Sequence, residues 1–292
     1  MRIHESAIDN WTPTPDSARD EALCRELEEG AVIRLPRACF ELLATERRFL
    51  SQGWSGARSK NISLRPGAAN ARGAQGAATD LASLGAMMAR YADAAEGLVD
   101  VLFPRHRAGR TRGNTSFRPV AIESAERSWR SDDRRLHVDS FASNPVHGRR
   151  ILRVFTNVHP GDEPREWLVG EPFADFASRF FPRVKPPLPG AARLLAVFGV
   201  TKRPRSAYDH FMLGMHDAAK ADTEYQRDAP RQRVDFAPGE TWIAFTDQVV
   251  HAATRGQFAF EQTFYVNVDR MNDRDASPLA ILERMAGRPL VA

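Results

Sequence analysis

Beyond residue 113 the chain changes character, and that change limits its fold more than any other feature. SFRPVAI (116–122), RRILRVFTNV (149–158), QRVDFA (232–237), TWIAF (241–245) and QTFYVNV (262–268) are rich in β-branched and aromatic residues. Several alternate with period two, and Gly, Pro and Asp clusters bound them, which are the signals of strands. Between the second and third lie two stretches with helical spacing, Glu166–Phe181 and Ser206–Ala221, and a last helix is expected near Pro278–Met285.

The N-terminal third reads differently. Residues 18–29 carry Leu23 and Leu27 four apart, with Gly30 as a stop signal, and 31–36 reads as a short strand. A helix is expected over Phe40–Leu50, and the longest helix over Thr79–Phe103. Residues 65–77, rich in Gly, Ala and Arg, read as a loop and a candidate lid, and Arg105–Arg112 reads as a basic loop. No internal repeat is evident. The expected class is α+β: one domain over residues 1–292, with a helical elaboration over about 1–112 and a β core over about 113–270.

Composition excludes several alternatives. With 42% hydrophobic and 27% charged residues the chain is globular rather than disordered. Cys24 and Cys39 are its only cysteines, too few for a disulfide framework, and they form no Cys-x-x-Cys pair. The N-terminus lacks the apolar core of a signal peptide, and no apolar run approaches the ~20 residues of a membrane span. A soluble cytoplasmic protein is therefore expected. The net charge of +4 comes almost wholly from arginine, since only Lys60, Lys185, Lys202 and Lys220 are lysines. Such a bias follows from a GC-rich genome, or from partners that present carboxylates, phosphates or an anionic membrane surface.

The chemistry-bearing signal lies in RRLHVDSFASNP (134–145). On a strand, His137 and Asp139 point to one face, so an imidazole and a carboxylate can reach a single ion. His251, after TWIAF and the turn TDQVV, is the candidate third ligand. Two histidines and a carboxylate on one face of an octahedral ion leave three positions open. That is the ligand set of non-haem Fe(II) oxygenases, in which 2-oxoglutarate takes two open positions and dioxygen the third. His-x-Asp alone is weak, and a satisfied His–Asp pair remains the alternative. Of the other histidines, His210 and His216 fall on different helix faces and do not share a metal. His147 and His159 lie in loops, and His4 and His106 have no evident partner.

An acidic cosubstrate needs a cation, and an arginine fork can pair both carboxylate oxygens. In many such enzymes that residue lies about ten positions after the distal histidine, where this chain has Glu261 and Gln262. Arg153 shares a strand face with Ile151, Phe155 and Asn157, and an arginine there must reach solvent or a buried anion. Arg118 poses the same question.

The run LHVDSFASNPVHGRRILRVFTNVHP, with EWLVGEPF, YDHFMLGMHDAAKAD, EYQ and FAPGETWIAFTDQVVHA, resembles the Kdo hydroxylase family over most of the chain from about residue 55. Kdo is 3-deoxy-D-manno-octulosonic acid, the acidic sugar joining lipid A to the core of lipopolysaccharide. The resemblance implies an Fe(II)/2-oxoglutarate-dependent dioxygenase with a double-stranded β-helix (cupin or jelly-roll-like) core. It implies hydroxylation of the outer Kdo of Kdo-lipid A to Ko, at the cytoplasmic membrane face of a Gram-negative bacterium. His137, Asp139 and His251 then take the metal, and Arg118 and Arg153 bind the carboxylate of 2-oxoglutarate or of the sugar. The missing arginine after His251 departs from the wider superfamily. No nucleic-acid partner is expected, and a homo-oligomer is compatible with the sequence. The rival readings are a dioxygenase for another small acidic substrate, a catalytically dead sugar-binding barrel, and a basic nucleic-acid-binding module built on RHRAGRTR and the Arg/Gly loop at 58–72.

Overall fold

The computed structural model describes residues 2–56, 61–123, 128–188 and 190–291. Lys60 and the start of the Arg/Gly loop at 58–72 lie outside the described residues. In chain order the elements are β1 (Ile3–Glu5), α1 (Ser17–Glu28), β2 (Val32–Leu35), β3 (Ile62–Leu64), α2 (Ala78–Leu102), β4 (Arg110–Arg118), β5 (Arg150–Asn157) and β6 (Arg165–Val169). Then follow α3 (Phe173–Phe180), α4 (Ala191–Val197), α5 (Ala207–Ala221), α6 (Thr223–Asp228), β7 (Gln232–Phe236), β8 (Thr241–Phe245), β9 (His251–Arg255), β10 (Ala259–Val266) and α7 (Pro278–Ala286). Local chemistry sets the helix starts. Asp16 caps α1 through the Arg19 N–H, and Ser206 and Asp209 form a reciprocal capping box on α5.

Two sheets carry the fold, one of seven strands in the order β1-β2-β8-β5-β10-β4-β3 and one of three in the order β7-β6-β9. Every pairing is antiparallel except β1 with β2. Alternation along the central strands sorts side chains between two cores. Leu152, Val154, Ile243 and Phe245 face α1 and α2, packing in one cluster with Leu27, Met88, Tyr91 and Leu98. Phe155, Trp242 and Ala244 point the other way and meet Trp167, Val234 and Phe236 of the small sheet. Phe236 stacks on Trp242 with centroids 4.0 Å apart and planes within 7°. The two sheets thus pack face to face through an aromatic layer, as in a jelly roll. A third cluster, built on α3, α5 and α7 with Leu136, Val138 and Val250, closes the end of the sandwich where the site opens.

The structure departs from the expected elements in four places. The N-terminal third is not purely helical: besides the expected strand at 31–36, which is β2, the strands β1, β3 and the start of β4 fall within the first 112 residues and join the large sheet. Phe40–Leu50 is no helix but loop with a short 3-10 turn, Arg47–Phe49, and both Phe40 and Phe49 are buried in the core. Residues 166–181 divide into strand and helix, β6 and α3, broken at Gly170 and Pro172, and β6 gains its order from neighbours on both sides. Arg105–Arg112 is a 3-10 helix (Pro104–Gly109) running into β4 rather than a basic loop. Three of its four arginines are paired. Arg107 pairs with Asp100, Arg110 with Asp100 and Glu96, and Arg112 with Asp93 and Glu96, all carboxylates of α2.

Candidate active site

The segment Leu136–Asp139 runs extended beside β9 and past the end of β8, and its backbone bonds aim its side chains. His137 and His251 exchange both backbone hydrogen bonds, at 3.0 and 2.8 Å, so the two side chains leave the ladder on one face. Asp139 donates its N–H to the Thr246 carbonyl at 2.7 Å, which fixes the carboxylate two residues on from His137. The sequence reading is met in spacing, though an isolated bridge, not a full strand, carries it. Potential ligand atoms of His137, Asp139 and His251 all lie within 4.8 Å of one another, and all three residues are buried.

Proton positions follow from neighbouring carbonyls. His137 Nδ1 lies 2.7 Å from the Arg135 carbonyl and His251 Nδ1 lies 2.8 Å from that of Val249. A carbonyl only accepts, so each Nδ1 carries the hydrogen and each Nε2 keeps its lone pair for a metal. Burial pushes the His137 imidazolium down to about 3, against the pull of Asp139, and burial also lowers His251. For Asp139, burial favours the neutral acid, but Arg153 and the two histidines outweigh it and hold the group well below the usual carboxylate range. Neutral imidazoles and an ionised carboxylate are the forms that ligate, so these residues fit a divalent metal.

Around this trio lies a cavity of about 500 Å³. Trp167 stacks on His251 at 4.9 Å and 21°, and Phe155 packs edge-on to Trp167 at 4.9 Å, giving one apolar wall. His216 of α5 sets its ring 5.0 Å from that of His137 and donates Nδ1–H to the Val138 carbonyl at 2.9 Å. Arg118 and Arg153 both line the cavity, as expected, but both are already paired. Arg153 lies 3.0 Å from Asp139 Oδ2 and 3.2 Å from Glu261, beside the Asp139 oxygen rather than in line with it. Arg118 lies 2.9 Å from Glu261 and 3.3 Å from Asp133. Glu261, where an arginine is usual in such enzymes, is thus a carboxylate clamped between two guanidinia, and they hold its acid below the usual range despite its burial. Gln262 turns the other way and accepts from Thr115 at 2.6 Å.

Two cavity cations went unnoticed in the sequence. Arg165 opens β6, is buried, and donates to the Gly256 carbonyl at 2.9 Å. Lys220 ends α5, is buried, and donates to the Arg130 carbonyl at 3.1 Å. Among the described residues neither has a carboxylate within ion-pair distance. Burial, aided by Arg118, lowers the Arg165 guanidinium to about 9, and burial lowers Lys220 too, so each would gain from a bound anion. Gly256 is required where it stands: its φ is +110°, and a Cβ would sit 2.9 Å from the Pro164 carbonyl oxygen and 3.0 Å from Arg165 Cα. His210 points away to the Lys185 carbonyl, while His147 and His159 pair with Asp209 and Glu163 in loops. His106 contradicts its reading as partnerless. It is buried and lies 2.9 Å from Glu28 and 3.6 Å from Cys24 Sγ.

Fold and site together define a class, a jelly-roll protein with the two-histidine, one-carboxylate face of the non-haem iron oxygenases. The family described as 3-deoxy-D-manno-oct-2-ulosonic acid (Kdo) hydroxylase matches residues 10–289, and the chain belongs to that family. Three solved structures of the Kdo hydroxylase KdoO, described as a non-haem Fe(II) α-ketoglutarate-dependent dioxygenase, are each 41% identical to it. In each, all of this chain and 98% of the other align. The TM-scores are 0.95 for the complex with α-ketoglutarate and Fe(III), 0.96 for the apo form and 0.97 for the cobalt(II) complex. No curated protein sequence matches.

Proposed function

We propose that this chain is an Fe(II)/2-oxoglutarate-dependent dioxygenase that hydroxylates the outer Kdo sugar of Kdo-lipid A, converting Kdo to Ko, with the metal on His137, Asp139 and His251. The observation that carries the reading is the convergence of two buried Nδ1–H imidazoles and one ionised carboxylate within 4.8 Å. When bound, iron and 2-oxoglutarate supply the oxygen activation: dioxygen oxidatively decarboxylates the cosubstrate to succinate, and one oxygen atom enters the sugar as hydroxyl.

The protein's part is holding and excluding. Arg153 orients Asp139 through the charge it sets 3.0 Å from Oδ2, while Oδ1 lies on the side of His137, 3.7 Å from Nε2. Trp167 and Phe155 keep water from one side of the cavity. The two unpaired cations suit two anions. Arg165, deep in the cavity beside Arg118, takes the distal carboxylate of 2-oxoglutarate. Lys220, nearer the exposed Arg130–Asp217 pair, takes the carboxylate of the sugar. Arg118 and Arg153, expected from the sequence to bind these carboxylates directly, then act mainly through Glu261 and Asp139.

Residues 1–292 are read as one dioxygenase domain, with an elaboration over about 1–112 around a β core over about 113–270. The largest core cluster supports this, since it joins α1 and α2 to strands of the large sheet. Among the described residues no helix is long and apolar enough to cross a membrane. The reading places the enzyme in the cytoplasm, peripheral on the inner membrane of a Gram-negative bacterium. A homo-oligomer is compatible with it. A nucleic-acid role is disfavoured because Arg107, Arg110 and Arg112, three of the four arginines of the 105–112 segment, pair with carboxylates of α2. The test is substrate dependence. Succinate formation should be stimulated by Kdo-lipid A and not by small acidic metabolites, and the reverse would keep the dioxygenase but replace its substrate.

A further inference from the structure

Seven large apolar side chains are well exposed among the described residues, and five of them lie between 188 and 200. They are Leu188 (77%), Leu194 (59%), Val197 (80%), Phe198 (77%) and Val200 (53%), on and around α4. Such a concentration on a short surface helix marks a contact surface rather than scattered exposure. Its charge is as one-sided as its hydropathy. From Val184 to Arg205 the sequence has no Asp or Glu, while Lys185, Arg193, Lys202, Arg203 and Arg205 are basic. Lys185, Arg193, Lys202 and Arg203 are exposed and form no ion pair among the described residues. Apolar side chains ringed by free cations match an anionic phospholipid surface, where the chains enter the acyl boundary and the cations meet phosphates.

The position of the patch fits that partner. The Lys202 N–H is held by the Ser143 carbonyl at 3.0 Å, and Arg205 donates to the Ala142 carbonyl at 2.6 Å. Lys202 and Ser143 both line a polar cavity of about 480 Å³. That cavity shares Arg118, Phe141, Arg153 and Glu261 with the metal cavity. The apolar patch therefore ends at the mouth of the cavity system.

We infer that Leu188 and residues 190–200 are an interfacial element that seats the enzyme on an anionic phospholipid bilayer, with the Lys202 cavity next to the headgroups. The inference deepens the lipid-linked substrate reading given above and rests on it for its direction. The test uses the full chain in flotation with phosphatidylcholine vesicles, with and without phosphatidylglycerol. Wild type should float with the anionic vesicles only. Joint Val197→Asp and Phe198→Asp substitution should cut the bound fraction more than about tenfold, as should joint Lys185→Glu and Arg193→Glu. The aspartate variant should keep full activity on detergent-dispersed Kdo-lipid A and lose it on the same lipid in vesicles. Equal flotation of wild type and both variants would overturn the inference. So would a dimer that the aspartate variant dissolves while flotation stays unchanged, because the patch would then join two copies of the chain. Activity in detergent judges the substrate reading separately, so the two failures can be told apart.

Discussion

Arg153 and Asp139 form a largely buried ion pair at 3.0 Å, which places a guanidinium beside one oxygen of the proposed metal-binding carboxylate while the other faces His137. Outer contacts of this kind set the aim of a ligand and its basicity. Arg153→Met should therefore raise the Fe(II) dissociation constant by about 10–100-fold, with Arg153→Lys in between and the circular dichroism spectrum unchanged. Unaltered iron affinity in Arg153→Met would remove the residue from this role.

Arg165 is expected to govern the cosubstrate. Arg165→Met should raise the KM for 2-oxoglutarate by ~30-fold or more, the cost of leaving a buried carboxylate without its charged partner, while Arg118→Met has a smaller effect. Gly256→Ala should act in the same direction, because the new methyl displaces the carbonyl and backbone that hold Arg165. If KM in Arg165→Met equals that of wild type, the anchor lies elsewhere in the cavity.

How legible these residues were depends on what alternation can encode. His137 and Asp139 were readable because an i, i+2 pair on extended backbone shares a face whatever the tertiary context. The faces of β5 were readable too: Arg153 and Phe155 point into the sandwich, and Leu152 and Val154 toward the helices. Arg165 was hidden because residues 166–181 carry helical spacing, whereas pairing with β7 and β9 imposes a strand on their first part. His216 and Lys220 sat on a correctly placed helix, but periodicity does not distinguish a face that meets the core from one that meets a cavity. The buried partner of His106 is Glu28, far away in sequence, and no local pattern links the two.

Burial lowers His137, His216 and His251 below the ordinary imidazole value. The unfolded chain takes up protons on these groups below about pH 6.5, and the folded chain takes them up only at lower pH, about 3 for His137. They therefore cost nothing above that pH and favour unfolding as pH falls toward about 3, the His137 value. Asp139, lowered in the fold, loses its stabilising contribution over the acid end of the same range. The Tm of metal-free protein should fall steadily from pH 6.5 to 4, and His137→Gln should flatten the slope. A Tm independent of pH over this window would contradict the buried neutral imidazoles.

Far from the metal, Glu28 accepts from the Asn272 N–H at 2.8 Å and the Asp273 N–H at 3.0 Å besides its contact with His106, tying the end of α1 to the segment before α7. Glu28→Ala should destabilise the protein by about 3–5 kcal/mol, since it strands a buried imidazole and two backbone donors. Denaturant unfolding measures the loss, and iron affinity should stay that of wild type. A loss under about 1 kcal/mol would mean the pair is dispensable.

The most direct measurement is made on anaerobically iron-loaded protein given 2-oxoglutarate, oxygen and Kdo-lipid A, with succinate and the mass of the lipid followed together. The account predicts one oxygen atom gained by the lipid per succinate formed, and neither product with Asp139→Ala despite an intact fold. Wild-type turnover in Asp139→Ala, or wild-type protein that binds no iron and forms no succinate, would contradict it.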